Sequence, residues 1–332
     1  MRDFKSRGKS AGKILVFFGI LAAIFMVISK KIEQRFIEND NLVPSRNKSI
    51  FGVLREPENS IDVIVVGDSL SYSAISPMIL WKNHGITSYV CGQSGQKIQE
   101  TYHALETAFT AQSPKLVILE TNTMFRGALE QGIVNLKETV EEWGNHYFPI
   151  FKGHDIWKSY VMNKEYVEEN YKGFAFRCSV QPYENGTYMR ETDKKAKMPA
   201  VVIEYMDKII DLCREKGAKL LLVSTPSPIN YNYQRHNSIQ DYAKKQDLDF
   251  LDLNLKLQEM RIDWKVDSLD KGDHLNLSGA TKVTRQLGKY LSQQYDFQDH
   301  RNEEEYDQWK KEAEDYTAKE EKHLDVISAY KN

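Results

Sequence analysis

The sequence predicts an α/β fold in which helices cover both faces of a parallel β-sheet. The segment 61–66 is a continuous apolar run, which is typical of a strand buried on both faces of a parallel sheet, and four further short segments are predicted as strands. Longer segments with apolar residues at helical spacing lie between them. Because strands and helices alternate along the chain, we expect a three-layer α/β/α sandwich.

The individual elements follow from local signals. A first helix is expected to begin at Ser76-Pro77, because serine caps helices and proline is tolerated in the first turn. A later helix is expected to end at Gly217, a common C-terminal stop. The predicted strands cover 61–66, 87–91, 115–120, 219–224 and 249–252, and further helices are predicted over 98–111, 201–216, 239–246 and after 276–278.

The N-terminal segment predicts a transmembrane helix. Five basic residues precede an apolar run over 14–28, and Lys30-Lys31 follow it. Crossing a bilayer takes about 20 mostly apolar residues, and tilt and snorkelling lysines can extend a shorter run. The cationic leader favours a cytoplasmic N-terminus with the remaining chain outside the cell membrane. A cleaved signal peptide is the alternative, but no small-x-small cleavage site follows Ile28, so we expect an uncleaved anchor.

These patterns divide the chain into four regions. The leader and anchor (1–30) are followed by a polar stalk (31–58), an α/β domain (59–297) and a charged, helical tail (298–332). An aromatic and irregular stretch over about 121–199 interrupts the α/β domain, and its length indicates a functional insertion. The tail is expected to dock through one apolar helical face, formed by Tyr306, Trp309, Ala313 and Tyr316.

Composition excludes several classes of function. The formal net charge is −2, so no basic surface indicates nucleic-acid binding. Cys91, Cys178 and Cys213 fit neither a disulfide framework nor a spaced metal site. The sequence contains no metal-ligand cluster and no glycine-rich phosphate loop, so we predict no metal and no cofactor.

Two motifs carry the groups of a serine-dependent reaction. Gly67-Asp68-Ser69-Leu70 follows the first predicted strand, and the segment 270–276 places His274 beside carboxylates. A serine hydroxyl is a poor nucleophile until an imidazole removes its proton, and a carboxylate orients that imidazole. Ser69 is therefore a candidate nucleophile and His274 a candidate general base.

Four features occur in a fixed order: Gly-Asp-Ser after a strand, a glycine-rich turn over 91–95, Asn122 after another strand, and the histidine segment. Each alone has a structural interpretation, such as a helix cap, a turn or a loop residue. As an ordered set they resemble the SGNH (GDSL-type) hydrolase superfamily. That resemblance implies a flavodoxin-like sandwich with a parallel sheet and a catalytic Ser, Asp and His.

The resemblance also implies roles for single residues. Ser69 is the nucleophile and its backbone N–H one oxyanion donor, while Asn122 supplies a side-chain amide and His274 is the general base. Gly95 matches the family's second-block glycine, which offers a backbone N–H, and Gly92 is the alternative match. Donors aimed at a developing oxyanion typically contribute a few kcal/mol each.

The acidic residue departs from the family pattern. The family places its aspartate three residues before the histidine, and that position here is Lys271. Asp270 lies one residue further upstream, and Asp273 is adjacent to His274. Because sequence neighbours on a loop rarely reach each other's ring nitrogen, we favour Asp270 and keep Asp273 as the alternative.

Local strings around 148–157, 171–174, 224–228 and 274–280 are similar to the D-alanyl-lipoteichoic acid biosynthesis protein and the alginate O-acetylation proteins. This similarity implies an extracellular serine acyltransferase or esterase that adds or removes O-acyl groups on a cell-surface polysaccharide or teichoic acid. It also implies a membrane-bound O-acyltransferase as partner. Trp143 and Trp157 are candidate substrate contacts, since aromatic ring faces suit sugar stacking, and packing within the insertion is the alternative. His154 is a third candidate, for which a structural hydrogen bond with the backbone is the alternative.

Two other functions stay open. The irregular Asp–His spacing is compatible with a non-catalytic partner that binds the polymer or scaffolds the acyltransferase. A secreted, lipase-like esterase acting on small esters is the third possibility.

Overall fold

The computed structural model describes residues 2–127, 133–148 and 170–329. They form two compact units: the smaller contains residues 2–45 and 136–148, and the larger contains 46–127, 133–135 and 170–329.

Strands and helices alternate through the larger unit, as the sequence predicts. The strands are β1 Val63–Gly67, β2 Ser88–Gly92, β3 Leu116–Glu120, β4 Asn170–Tyr171, β5 Phe174–Ala175, β6 Lys219–Ser224 and β7 Asp249–Asp252. The helices of both units are α1 Arg2–Glu38, α2 Lys48–Gly52, α3 Ser69–Ala74, α4 Pro77–His84, α5 Ile98–Ala108, α6 Ile133–Tyr147, α7 Ala200–Glu215, α8 Tyr233–Gln246, α9 Leu277–Gln294 and α10 Asp307–Ala329. Of these, α1 and most of α6 belong to the smaller unit.

Five strands form one sheet in the order β2-β1-β3-β6-β7, and every neighbouring pair is parallel. Counted along the chain, this is the 2-1-3-4-5 order of flavodoxin-like folds, in which ligands bind at the carboxyl ends of the strands beside the switch point between the first and third strands. The predicted α/β fold with a parallel sheet is therefore confirmed. β1 and β3 flank the switch point.

The sheet has helices on both faces. In β1, Ile64 and Val66 contribute to one hydrophobic cluster, and Val63 and Val65 contribute to the other. Successive strand residues point to opposite faces, so both faces of the strand are buried. The first cluster includes apolar residues of α5 and α7, and the second includes those of α9.

Residues 46–58, which the sequence analysis assigns to a stalk, belong in the structure to the larger unit. Ile50, Phe51 and Val53 are buried, and the Ser49 hydroxyl donates to the carbonyl of Gly92 at 2.7 Å. This short apolar run packs because it can join the core beside β2, even though polar residues surround it in the sequence.

The tail packs as predicted. Tyr306, Trp309, Ala313 and Tyr316 are buried, and the rings of Trp309 and Trp81 are 5.4 Å apart. A hairpin of β4 and β5, which the sequence analysis does not foresee, lies against β2. Its turn places the Lys172 carbonyl 2.9 Å from the backbone N–H of Val90.

In the smaller unit, one helix is long and apolar enough to cross a membrane, judged by length and composition, over Gly12–Glu38 of α1. Most of its apolar side chains between Ile14 and Ile28 are exposed, Leu15 to 73%, whereas Phe36 near its C-terminal end is buried. Contiguous exposed apolar surface marks a membrane or partner contact. The helix could be a membrane anchor or a signal sequence.

The described part of the insertion contains helix α6, where the sequence analysis expects irregular structure. Leu136, Val140, Trp143 and Tyr147 recur at helical spacing, a signal that the aromatic and polar composition of the insertion obscured. An ion pair between Lys137 and Glu141 at 3.5 Å adds support along the exposed side of the helix.

Candidate active site

Ser69 lies on the turn that leaves β1. Gly67 has φ 153°, and a Cβ there would lie 2.7 Å from the Cβ of Glu120, so this position requires glycine. Asp68 caps α3, since its Oδ1 accepts from the backbone N–H of Leu70 at 2.9 Å. The turn and cap hold Ser69 at the start of α3, at the carboxyl end of the sheet.

The structure brings Ser69, His274 and Asp270 into one chain of hydrogen bonds. The Ser69 Oγ is 2.7 Å from His274 Nε2, although 205 residues separate them along the chain. His274 Nδ1 is 2.7 Å from Asp270 Oδ2. In this arrangement the imidazole can accept the serine proton at Nε2, while the carboxylate holds the proton at Nδ1.

The loop geometry decides which aspartate faces the imidazole. Lys271 and Gly272 both have positive φ, 61° and 91°, and this tight turn absorbs the additional residue between Asp270 and His274. The other oxygen of Asp270, Oδ1, accepts from the backbone N–H of His274 at 2.7 Å. Asp270 is therefore held by two bonds to the same residue.

Asp273 occupies a different environment. Its Oδ1 is 3.8 Å from His274 Nδ1, beyond hydrogen-bond distance, and accepts from Asn230 Nδ2 at 2.5 Å. Of the two alternatives that the sequence left open, the geometry favours Asp270 as the residue that orients the imidazole.

Two backbone N–H groups follow the carboxyl ends of β1 and β2. Among the described residues, no hydrogen-bond acceptor faces the backbone N–H of Ser69 or of Gly95. Gly95 has φ 63° in the loop after β2, and a Cβ there would meet nothing within 4 Å. The positive φ, and not close packing, explains why this residue is a glycine. In such an open loop, the backbone N–H can face a ligand.

Gly92 is constrained by packing instead. It ends β2, pairs with Gly67 in the ladder, and a Cβ there would overlap the Ser71 Oγ. Because its main-chain groups belong to the sheet, the geometry favours Gly95 over Gly92 as the second backbone donor.

Asn122 lies just after β3 and is 5% exposed. Its Nδ2 donates to Asp68 Oδ2 at 2.6 Å, and its Oδ1 accepts from Arg235 Nη1 at 2.7 Å. An amide NH₂ group has two hydrogens, so one remains for a further acceptor. The two bonds fix the amide plane, which suits a preorganised oxyanion donor.

A buried group of charges supports this amide. Asp68 is fully buried and accepts also from Arg126 Nε at 2.5 Å. Burial, reinforced by the nearby charge of Asp68, raises the pKa of Glu120. The Glu120 carboxyl accepts from the backbone N–H of Asn122 at 3.0 Å and lies 3.3 Å from the Thr225 hydroxyl.

Carboxylates around the imidazole resemble a ligand set. One ligand atom each from Asp270, Asp273 and His274 lies within 4.8 Å of the others. Both imidazole nitrogens, however, are already within 2.7 Å of Asp270 and Ser69. The arrangement suits proton transfer better than metal ligation.

The predicted substrate contacts lie in the smaller unit or outside the described residues. Trp143 is on α6 in the smaller unit, 52% exposed, with its ring 5.2 Å from that of Tyr147. His154 and Trp157 lie outside the residues that the structure describes. Contact of all three with substrate stays a prediction.

Sequence reasoning missed the supporting charges. Arg126 stands four residues after Asn122 in the same segment, so its position was a usable signal. Arg235 is on α8, more than one hundred residues away, and nothing in the local sequence connects it with Asn122.

Comparison with known proteins found solved structures that resemble this chain at low sequence identity. No family model matches the chain, and no curated protein matches it. A GDSL-like lipase from Bacteroides thetaiotaomicron is 12% identical, with 79% of this chain and 98% of that chain covered at a TM-score of 0.36. An acetyl xylan esterase is 15% identical, with 70% of this chain and 100% of that chain covered at a TM-score of 0.37. At these values the likeness assigns no substrate and no residue role.

Proposed function

We propose that the protein is an SGNH-type serine acyltransferase or esterase. The observation that carries the proposal is the chain from Ser69 Oγ through the His274 imidazole to Asp270, with both distances at 2.7 Å. The adjoining donors of Ser69, Gly95 and Asn122 support an acyl-transfer reaction in particular, because such reactions develop negative charge on a carbonyl oxygen.

The reaction has two steps. The Ser69 Oγ attacks an ester carbonyl while its proton passes to His274 Nε2, and the oxyanion accepts from the three donors. The C–O bond of the leaving alcohol breaks as the alkoxide takes the proton from the imidazolium, which leaves an acyl-serine. A water or a sugar hydroxyl then gives its proton to His274, attacks the acyl carbon, and releases the serine with its proton restored.

The substrate belongs to the cell surface in this proposal: O-acetyl or similar acyl groups on a polysaccharide or teichoic acid. Its support is the apolar helix α1, which as an uncleaved anchor would hold the larger unit outside the membrane. A membrane-bound O-acyltransferase would supply the acyl group as partner. The esterase neighbours agree with ester chemistry and carry no information on the polymer.

The scaffolding alternative loses its main motivation. It rested on the irregular spacing of Asp270 and His274, and the turn at Lys271 and Gly272 brings the two side chains within hydrogen-bond distance.

A fluorophosphonate probe tests the proposal on the full-length protein in detergent. We expect covalent labelling that maps to Ser69 and is lost in Ser69→Ala. Ser292→Ala, which removes an exposed serine of α9, is the matched control and should label like the natural protein. Absence of labelling, while a known serine hydrolase labels in parallel, would exclude the enzyme function.

A further inference from the structure

Two arginines from different elements contact Asp68 and Asn122 in the candidate active site. Arg126 follows the turn Thr121–Phe125 after β3, and its Nε is 2.5 Å from Asp68 Oδ2. Arg235 lies in the first turn of α8, and its Nη1 donates to Asn122 Oδ1 at 2.7 Å and to the carbonyl of Asn230. Neither residue belongs to the four motifs that carry the proposed chemistry.

Both guanidinium groups have more N–H donors than they use in bonds to the described residues. An arginine has five N–H hydrogens. Across the described ranges, no hydrogen bond or ion pair occupies Nη1 or Nη2 of Arg126, nor Nε or Nη2 of Arg235. The Arg126 side chain is 35% exposed, so its two terminal amino groups are within reach of a ligand.

Packing sets the direction of these donors. The Arg235 guanidinium carbon lies 4.7 Å from the centroid of the Phe125 ring. Stacking on an aromatic face fixes the plane of a guanidinium. On the other side, the bond to buried Asp68 anchors Arg126 at Nε. Each guanidinium group is therefore held through one edge, and its other edge is left for a ligand.

The local charge is positive. Asp68 supplies one negative charge to this group, while burial raises the pKa of Glu120 and favours its neutral form. The carboxylates Asp270 and Asp273 are held at His274 and Asn230 instead. Of the two guanidinium groups, Arg126 is thus paired with a carboxylate, while Arg235 donates to two neutral oxygens.

We propose that Arg126 and Arg235 form a specificity site for an anionic group, a phosphate or a carboxylate, carried by the substrate close to its reacting ester. The inference rests on the proposed function, because the anion is recognised as part of the ester that Ser69 attacks. A planar guanidinium binds either anion through two parallel hydrogen bonds, which places the neighbouring ester in a defined orientation.

Three small esters of the same skeleton test it on the full-length protein: O-acetylglycerol, O-acetylglycerol phosphate and O-acetylglycerate. We expect kcat/KM to be about tenfold or more higher for one anionic ester than for the neutral one, the size expected of charge-assisted hydrogen bonds. A larger gain for the phosphate identifies a phosphate-bearing substrate, and a larger gain for the glycerate identifies a carboxylate.

Variants separate recognition from support of the fold. Arg126→Gln and Arg235→Gln should lower the ratio of anionic to neutral kcat/KM towards one, mainly through a higher KM for the anionic ester. Arg126→Lys keeps the charge without the planar fork and should retain part of the ratio. Arg285→Gln, which removes an exposed arginine of α9, is the control for net charge and should keep the ratio of the natural protein.

The outcomes are distinct. Equal losses on neutral and anionic esters would mean that the arginines act only through Asp68 and Asn122, and this overturns the inference. A natural protein that hydrolyses all three esters equally well overturns it also, without any variant, and leaves the proposed function standing. If neither labelling nor hydrolysis occurs, the proposed function fails first and the specificity site fails with it.

Discussion

Two histidines of the larger unit are held alike at one ring nitrogen and differ at the other. His274 Nδ1 is 2.7 Å from Asp270, and His236 Nδ1 is 2.7 Å from Asp252. Both histidine side chains are 13% exposed. At Nε2, however, His274 meets the Ser69 hydroxyl, whereas no partner of His236 Nε2 occurs in the described part of the chain.

The surroundings of the two His–Asp pairs also differ. His236 lies between the rings of Tyr233 and Phe250, with centroids at 5.1 and 5.8 Å, and its aspartate also accepts from the Tyr231 hydroxyl. His274 instead stands at the carboxyl ends of the strands beside open donors. A His–Asp pair therefore indicates catalysis only where a nucleophile and oxyanion donors complete it.

The largest expected effect separates the two histidines directly. His274→Ala should abolish fluorophosphonate labelling and lower ester hydrolysis by about 10³-fold or more, because the serine loses its base. His236→Ala should keep labelling and lower the free energy of unfolding by about 1–3 kcal/mol, since buried Asp252 loses a partner. Equal loss of labelling in both folded variants would remove the distinction between the two pairs.

The next effect separates the two aspartates. Asp270→Asn should lower kcat by about 10³–10⁴-fold, because an amide no longer favours the proton on Nδ1. Asp273→Asn should cost less than about tenfold, since its carboxylate contacts Asn230 and not the ring. Steady-state kinetics on an aryl acetate measures both, and a reversed order would assign the orienting role to Asp273.

Removal of an oxyanion donor should be milder than removal of the orienting carboxylate. Asn122→Ala is expected to lower kcat by about 10²–10³-fold with little change in KM, because the amide acts on the transition state. Asn237→Ala, on a partly exposed amide of α8 that bonds the Thr192 carbonyl, is the control. A change confined to KM would place Asn122 in ground-state binding only.

The smallest effect concerns stability and pH. Burial raises the pKa of Glu120 in the folded chain. At a pH below the ordinary pKa of glutamate, both the folded and the unfolded chain hold the proton, so no stability is lost. As the pH rises from about 4.5 through the raised pKa, the unfolded chain ionises first and the protein loses stability, by at most about 1.4 kcal/mol per pH unit. Glu120→Gln should flatten this loss in denaturant titrations between about pH 5 and about pH 9, a range that contains the raised pKa of Glu120. Glu321→Gln, at an exposed position of α10, should not flatten it.

Much of the fold was predictable from local patterns. Strands over 219–224 and 249–252 coincide with β6 and β7, and the remaining predicted strands of the sheet differ by one or two residues at their ends. Strands buried on both faces of a parallel sheet are largely apolar, so short apolar runs in the sequence indicate them. The same approach missed α6 and the packing of residues 46–58, where a short apolar signal lies among polar or aromatic neighbours.

The candidate site was predictable in part. Ser69, Gly95 and Asn122 could be named from the sequence because each follows a predicted strand, and His274 because carboxylates flank it in its segment. The choice between Asp270 and Asp273 depended on two consecutive positive φ angles, which residue type alone does not dictate. Arg235 was out of reach, since no local rule connects α8 with the end of β3.

By itself, the sequence determined the alternation of strands and helices, the apolar N-terminal helix and the chemical groups available for catalysis, because these depend on spacing within a few residues. Only the tertiary structure decided which groups meet: the serine and histidine 205 positions apart, Arg126 at Asp68, and Arg235 at the amide of Asn122. The physical reason is that parallel strands bring distant segments to one edge of a sheet. Hydrogen-bond geometry there depends on distances of a few tenths of an ångström, which packing sets and local propensity does not.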